Sequence, residues 1–172
     1  MSETARRSKS EMNTVEVEVA VARHFSYRRN LIVPNLSWGI GLLHEADMLI
    51  VAPNTRYAKE VEIKVSTSDI RADLKKRCRY PNTSGFAHWD SCVRQCWFAL
   101  PYDLKGAELV PSPYGILRVH RFEDEKNIYR VETERPARIH KAAKPLTEKQ
   151  WLKLGHLAAM RIWSLKMARI KP

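Results

Sequence analysis

Two apolar runs, Glu45-Ala46-Asp47-Met48-Leu49-Ile50-Val51 and Ala58-Lys59-Glu60-Val61-Glu62-Ile63-Lys64-Val65-Ser66, stand either side of Pro53-Asn54-Thr55-Arg56. Apolar and β-branched residues flanking a Pro/Asn cluster predict two strands joined by a turn. In the second strand the side-chain period of two puts Glu60, Glu62 and Lys64 on one face and Val61, Ile63 and Val65 on the other. The second set is expected to pack, and the first needs an explanation.

A two-residue loop at Asn54-Thr55 would pair residues whose numbers sum to 109, setting Asp47 opposite Glu62. Facing residues in an antiparallel pair have Cβ atoms roughly 4.5–5.5 Å apart. Asn-Thr is a poorer two-residue turn than Asn-Gly, and a three-residue loop would move the register by one. Carboxylates held that close repel unless a proton or cation lies between them. Oxygen ligands suit Mg²⁺, which takes one or two carboxylates plus waters and substrate phosphate. The residues therefore predict a metal site with a lysine beside it.

Asp47 and, fourteen residues on, Glu62-Ile63-Lys64 resemble the D…(D/E)-x-K core of the PD-(D/E)XK nuclease superfamily. The wider string Pro34-Asn35-Leu36-Ser37-Trp38-Gly39, His44-Glu45-Ala46-Asp47, Glu60 to Ser66 and Ser68-Asp69 is similar to small phage and bacterial proteins of the MmcB-like kind. The resemblance runs from about Glu18 to Pro101. It departs from the usual pattern at Ala46, where the superfamily commonly has a proline before the aspartate. It implies an α/β, restriction-endonuclease-like core: a mixed central sheet flanked by helices, here with an added C-terminal helix. It also implies a Mg²⁺- or Mn²⁺-dependent nuclease that hydrolyses DNA and leaves a 5′-phosphate and a 3′-hydroxyl. Asp47 and Glu62 would hold the metal with the Ile63 carbonyl, Lys64 would act on the attacking water or the phosphorane, and an acidic residue on the first helix would help.

The composition agrees with a polyanionic partner. The chain has 172 residues and a formal net charge of +11, and such a field attracts phosphate backbones and speeds encounter. Its length suits one core without staples. No apolar run approaches the ~20 residues of a bilayer span. Met1 to Ser10 is polar, with no secretory apolar region. Three cysteines fit a reducing cytoplasm better than a disulfide framework; the resemblance places that cytoplasm in a bacterial host or makes the protein nucleoid-associated. No Gly-rich phosphate loop or Ser/His/Asp arrangement is evident.

Along the chain, residues 1–10 read as a disordered basic tail, 11–135 as the nuclease-like domain, and 136–172 as a linker followed by an amphipathic helix packed on it. The first helix is expected from Ser10 or Asn13 to Phe25, with Val15, Val19, Ala22 and Phe25 as its stripe. Glu18, flanked by Val21, Ala22 and Phe25, suits the helix carboxylate better than Glu16, although a solvated carboxylate fits the pattern too. Leu31-Ile32-Val33 forms a strand ending at Pro34. Trp38 could stack on a base or pack, and Glu45 is a reserve ligand. Ser66-Thr67-Ser68-Asp69 caps a helix with Ile70, Leu74 and Cys78 buried and Arg71, Lys75, Lys76, Arg77 and Arg79 beside any bound phosphate. Cys78, His88, Cys92 and Cys96 could supply four zinc ligands, but their spacing lacks the tight pairs of zinc sites. Strands are expected at Arg94–Leu100, Ile116–Arg121 and Asn127–Val131. A basic linker should span Arg135 to Pro145, and Thr147-x-x-Gln150 opens a last helix with Trp151, Leu154, Ala158, Ile162 and Leu165 as its stripe. That helix could dock on the domain or join a homodimer. A non-catalytic DNA-binding protein, or one active only with a phage or host replication or repair partner, would carry the same basic surface.

Overall fold

The computed structural model describes residues 11–36, 40, 45–77, 92–122 and 129–170, with side chains for all of these except 74–77. The elements are α1 (Thr14–His24), β1 (Leu31–Leu36), β2 (Ala46–Val51), β3 (Ala58–Ile63), α2 (Thr67–Arg77), β4 (Val93–Pro101), β5 (Gly115–Arg121), β6 (Tyr129–Arg135) and α3 (Glu148–Ala168). The six strands form one sheet in sequence order. β3–β4 and β4–β5 are parallel and the other three pairings antiparallel. The chain is therefore α/β with a mixed sheet flanked by helices and closed by a C-terminal helix, as the pattern of strands and helices predicts.

From β2 to β5 both faces of the sheet are largely buried. One carries Leu49, Val51, Ala58, Cys96, Phe98 and Leu100 beneath Ile70 of α2 and Leu154 and Leu157 of α3. The other carries Met48, Ile50, Val61, Ile63, Trp97 and Ala99 beneath Val17, Ala20 and Val21 of α1. The expected division of β3 into a packed and a polar face is thus corrected: Glu60 and Glu62 are buried as well as Val61 and Ile63.

Several sequence expectations shift for physical reasons. β1 does not stop at Pro34 but pairs it with Met48. Met48 turns its main-chain groups toward β3, so the Pro34 nitrogen points off the sheet edge, where no ladder bond is lost. β4 likewise runs on to include Pro101, which lies past the end of β3. α1 is capped by Asn13 through a reciprocal capping box with Glu16. Its buried stripe is Val17, Ala20 and Val21, whereas Val15 is 65% and Val19 39% exposed. β6 extends to Arg135, into the expected linker.

The segment after β6 is not free chain. Arg138 N–H donates to Pro113 O (3.0 Å), His140 N–H to Arg94 O (2.8 Å) and Leu146 N–H to Arg56 O (2.8 Å), while Ala137, Ala143 and Leu146 are buried. Gly115 is required where this segment passes the start of β5 beside Trp97 of β4. A Cβ there would lie 2.3 Å from the Trp97 ring and 2.7 Å from the Ala137 nitrogen.

α3 starts at the predicted Thr147–Gln150 capping box. Only the first half of its stripe docks, through Leu154 and Leu157 with Trp151 and Ala158 packed alongside. Ile162 and Leu165 are 56% and 66% exposed, although Arg161 just before them still donates to Asn35 O on β1. Among the described residues, no helix is long and apolar enough to cross a membrane. The expected tail at residues 1–10, together with Trp38, Cys78, Arg79 and His88, lies outside the described residues.

Candidate active site

The β2–β3 hairpin pairs Met48 with Val61, Leu49 with Glu60, Ile50 with Lys59 and Val51 with Ala58, each pair summing to 109. The loop spans residues 52–57 rather than two residues, but its length is even, so the register predicted for the shorter turn is kept. Continued by one step, the register faces Asp47 with Glu62. There the main-chain ladder gives way to a side chain: Ile63 N–H donates to Asp47 Oδ2 at 2.8 Å. Lys64 N–H donates to Ala99 O on β4. Strand alternation therefore turns the Ile63 N–H and carbonyl toward Asp47.

Lys64 is the hub of this end of the sheet. Its Nζ lies 2.9 Å from Glu62 Oε2, 3.8 Å from Asp47 Oδ2 and 3.8 Å from Asp73 Oδ1. Burial works against the ammonium, but the adjoining Glu62 carboxylate, with Asp73 and Asp47, outweighs it and raises the Lys64 pKa above the usual lysine range. The lysine is thus a fixed cation among carboxylates. The Glu62 side chain is only 6% exposed and that of Asp47 33%, so the cluster opens to solvent on the Asp47 side.

Asp73 is the residue that the sequence reading missed. It lies three positions after the buried Ile70, and i, i+3 residues share a helix face. That spacing was the available signal. α2 itself begins as expected, with Ser66 Oγ accepting the Asp69 N–H at 3.2 Å.

Glu18 is part-buried, and its pKa is raised first by desolvation and then by the negative charge of Asp47. Glu16 serves differently. It completes the α1 capping box, accepts the Tyr129 hydroxyl at 3.1 Å and lies 3.3 Å from Arg121. A carboxyl whose pKa is raised by folding is protonated more readily in the native state, so its contribution falls as pH rises through the folded value. Glu18→Gln is therefore expected to raise Tm at neutral pH in chelator, with the gain disappearing below about pH 4.5, the ordinary glutamate range. Thermal melts of both proteins across pH 3.5–8 measure this.

The remaining candidates divide by position. Glu45 and Arg71 are exposed, the first just before β2 and the second on α2. Lys75, Lys76 and Arg77 belong to the end of α2, but their side chains lie outside the described residues, as does that of Leu74. Of the four suggested zinc ligands, Cys92 and Cys96 are described, and both are buried in the core. The Cys96 thiol lies 3.7 Å from Glu60 Oε2.

Among the described residues, no three His, Cys, Asp or Glu side chains gather as a metal cluster. Asp47 and Glu62 nevertheless both lie within 4 Å of Lys64 Nζ. Two carboxylates, a main-chain carbonyl and an open side for water form a donor set compatible with Mg²⁺, which retains much of its hydration.

No protein-family model and no curated protein matches the chain. Among solved structures it is similar to SPO1766, a protein of unknown function from Silicibacter pomeroyi, with a TM-score of 0.63 at 20% identity over 94% of this chain and 97% of that one. A likeness at that identity establishes the shared α/β architecture.

Proposed function

We propose that the protein is a Mg²⁺- or Mn²⁺-dependent deoxyribonuclease, acting as an endonuclease in bacterial or phage DNA processing and repair. The observation that carries this reading is the convergence of Asp47, Glu62 and Lys64 at one open sheet end. Asp47, Glu62 and the Ile63 carbonyl would hold the ion, which when bound polarises a phosphate and lowers the pKa of its water. Asp47 is oriented for this by the Ile63 N–H. Lys64 orients the attacking water or offsets charge developing on the phosphorane, a preorganised cation of the kind that stabilises transition states strongly. Glu18, within the field of Asp47, would hold a water of the metal shell. Arg71, Lys75, Lys76, Arg77 and Arg79 would bind the DNA backbone, with Trp38 available to stack on a base.

The test is cleavage of a labelled panel containing single strands, blunt duplex, flaps, a four-way junction and supercoiled plasmid, with each metal and with chelator. Metal-dependent cutting by the wild type is expected. Salt-dependent binding with no cutting under either metal would transfer the assignment to a DNA-binding or partner-dependent role. The slope of log affinity against log salt would then count the phosphate contacts.

A further inference from the structure

Among the described residues, the Lys64 ammonium has three carboxylates within 4 Å, and they are not equivalent. Asp47 and Glu62 sit at facing positions on β2 and β3, whereas Asp73 reaches the same nitrogen from α2. A divalent ion that takes Glu62 Oε2, now 2.9 Å from Lys64 Nζ, would bring two cations onto one oxygen, and their repulsion favours moving the ammonium away. Lys64 would then turn toward another anion in reach. Asp73 is that anion: its Oδ1 is 3.8 Å away, its side chain is 12% exposed, and Ile70 anchors its helix in the core.

We propose that Asp73 is a positioning residue that takes over the Lys64 ammonium when Asp47 and Glu62 engage a divalent cation. The inference rests on the metal-site reading above and adds a residue that this reading does not contain. Asp73 lets one site hold a lysine and a divalent ion together by giving each its own carboxylates. Without it, the lysine competes with the ion for Glu62.

Calorimetric Mn²⁺ titration of the metal-free protein tests this independently of cleavage. The proteins needed are wild type, Asp73→Asn, Asp73→Glu, Lys64→Met and the Lys64→Met/Asp73→Asn double variant, each checked for folding by circular dichroism. Asp73→Asn is expected to weaken Mn²⁺ binding about fivefold, a coupling typical of residues in contact. Asp73→Glu should recover part of the loss, and in the Lys64→Met background the Asp73→Asn effect should vanish. Equal weakening with or without Lys64 would make Asp73 a direct ligand or a diffuse field and overturn the proposal, as would no weakening at all. Absence of Mn²⁺ binding by the wild type would instead overturn the metal site itself, and the proposal with it. Should Asp73→Asn fail to fold, Asp73→Ser carries the same comparison.

Discussion

Under the proposed function, Lys64→Met is expected to lower the turnover of DNA cleavage roughly 10²–10³-fold, the usual cost of removing one preorganised transition-state donor, while retaining Mn²⁺ binding. Glu62→Gln is expected to lose both. The split follows from the geometry. Lys64 lies among the carboxylates as their counter-ion, so its removal would take away the cation proposed to act on the reacting phosphate but leave the carboxylates proposed to bind the metal in place. Glu62 lies with its side chain 6% exposed, and its neutral amide offers neither the charge that a hard cation requires nor a partner for Lys64. Single-turnover cleavage beside calorimetric metal titration separates the two effects. Equal cutting by wild type and both variants would trace the activity to a contaminant and remove these residues from the site.

Phe98→Ala is the largest stability loss expected, about 3–5 kcal/mol, the range for removing a fully buried phenylalanine. Phe98 has no exposed surface, lies on the central strand β4, and meets Tyr114 edge-on with ring centroids 5.6 Å apart. Its facing residue on β3 is Glu62 and on β5 Ile116, so the cavity would open directly beside the candidate site. Urea unfolding followed by fluorescence gives the loss, and each kcal/mol corresponds to a Tm fall of about 2–4 °C in a chain of this size. A loss below about 1 kcal/mol would mean that the core collapses to fill the space, which its position between two parallel neighbours argues against.

Most of the candidate site could be read from the chain because a hairpin is a local structure. A Pro/Asn turn and two apolar runs were enough to bring Asp47 against Glu62, and the even loop length preserved that register. Asp73 was not read because it depends on where α2 leans, which is set by Ile70 meeting the sheet core. The α1 stripe was misjudged for another reason. Valines at 15, 17, 19 and 21 make several helix faces equally apolar, and only the sheet beneath selects Val17 and Val21. The polar residues Glu132, Thr133 and Glu134 hid the end of β6, since an edge strand can expose them at little cost. The α3 stripe was visible throughout its length, but how much of it the core covers is a tertiary fact. The packed segment after β6 gave little signal because only Ala137, Ala143 and Leu146 of it are buried, too sparse a set to form a period.

The sequence order of the strands has a kinetic consequence. Asp47, Glu62, Lys64 and Asp73 all belong to the hairpin and the helix that follows it, contacts of low contact order that form quickly. The parallel pairing of β3 with β4 must wait for a long crossover, whose loop-closure entropy is lost before any pairing compensates for it. That same event places Cys96 beside Glu60 and Phe98 beside Glu62 and removes both glutamates from water. The polar centre is therefore laid out early in a hydrated state, and its dehydration coincides with the slow closure of the sheet.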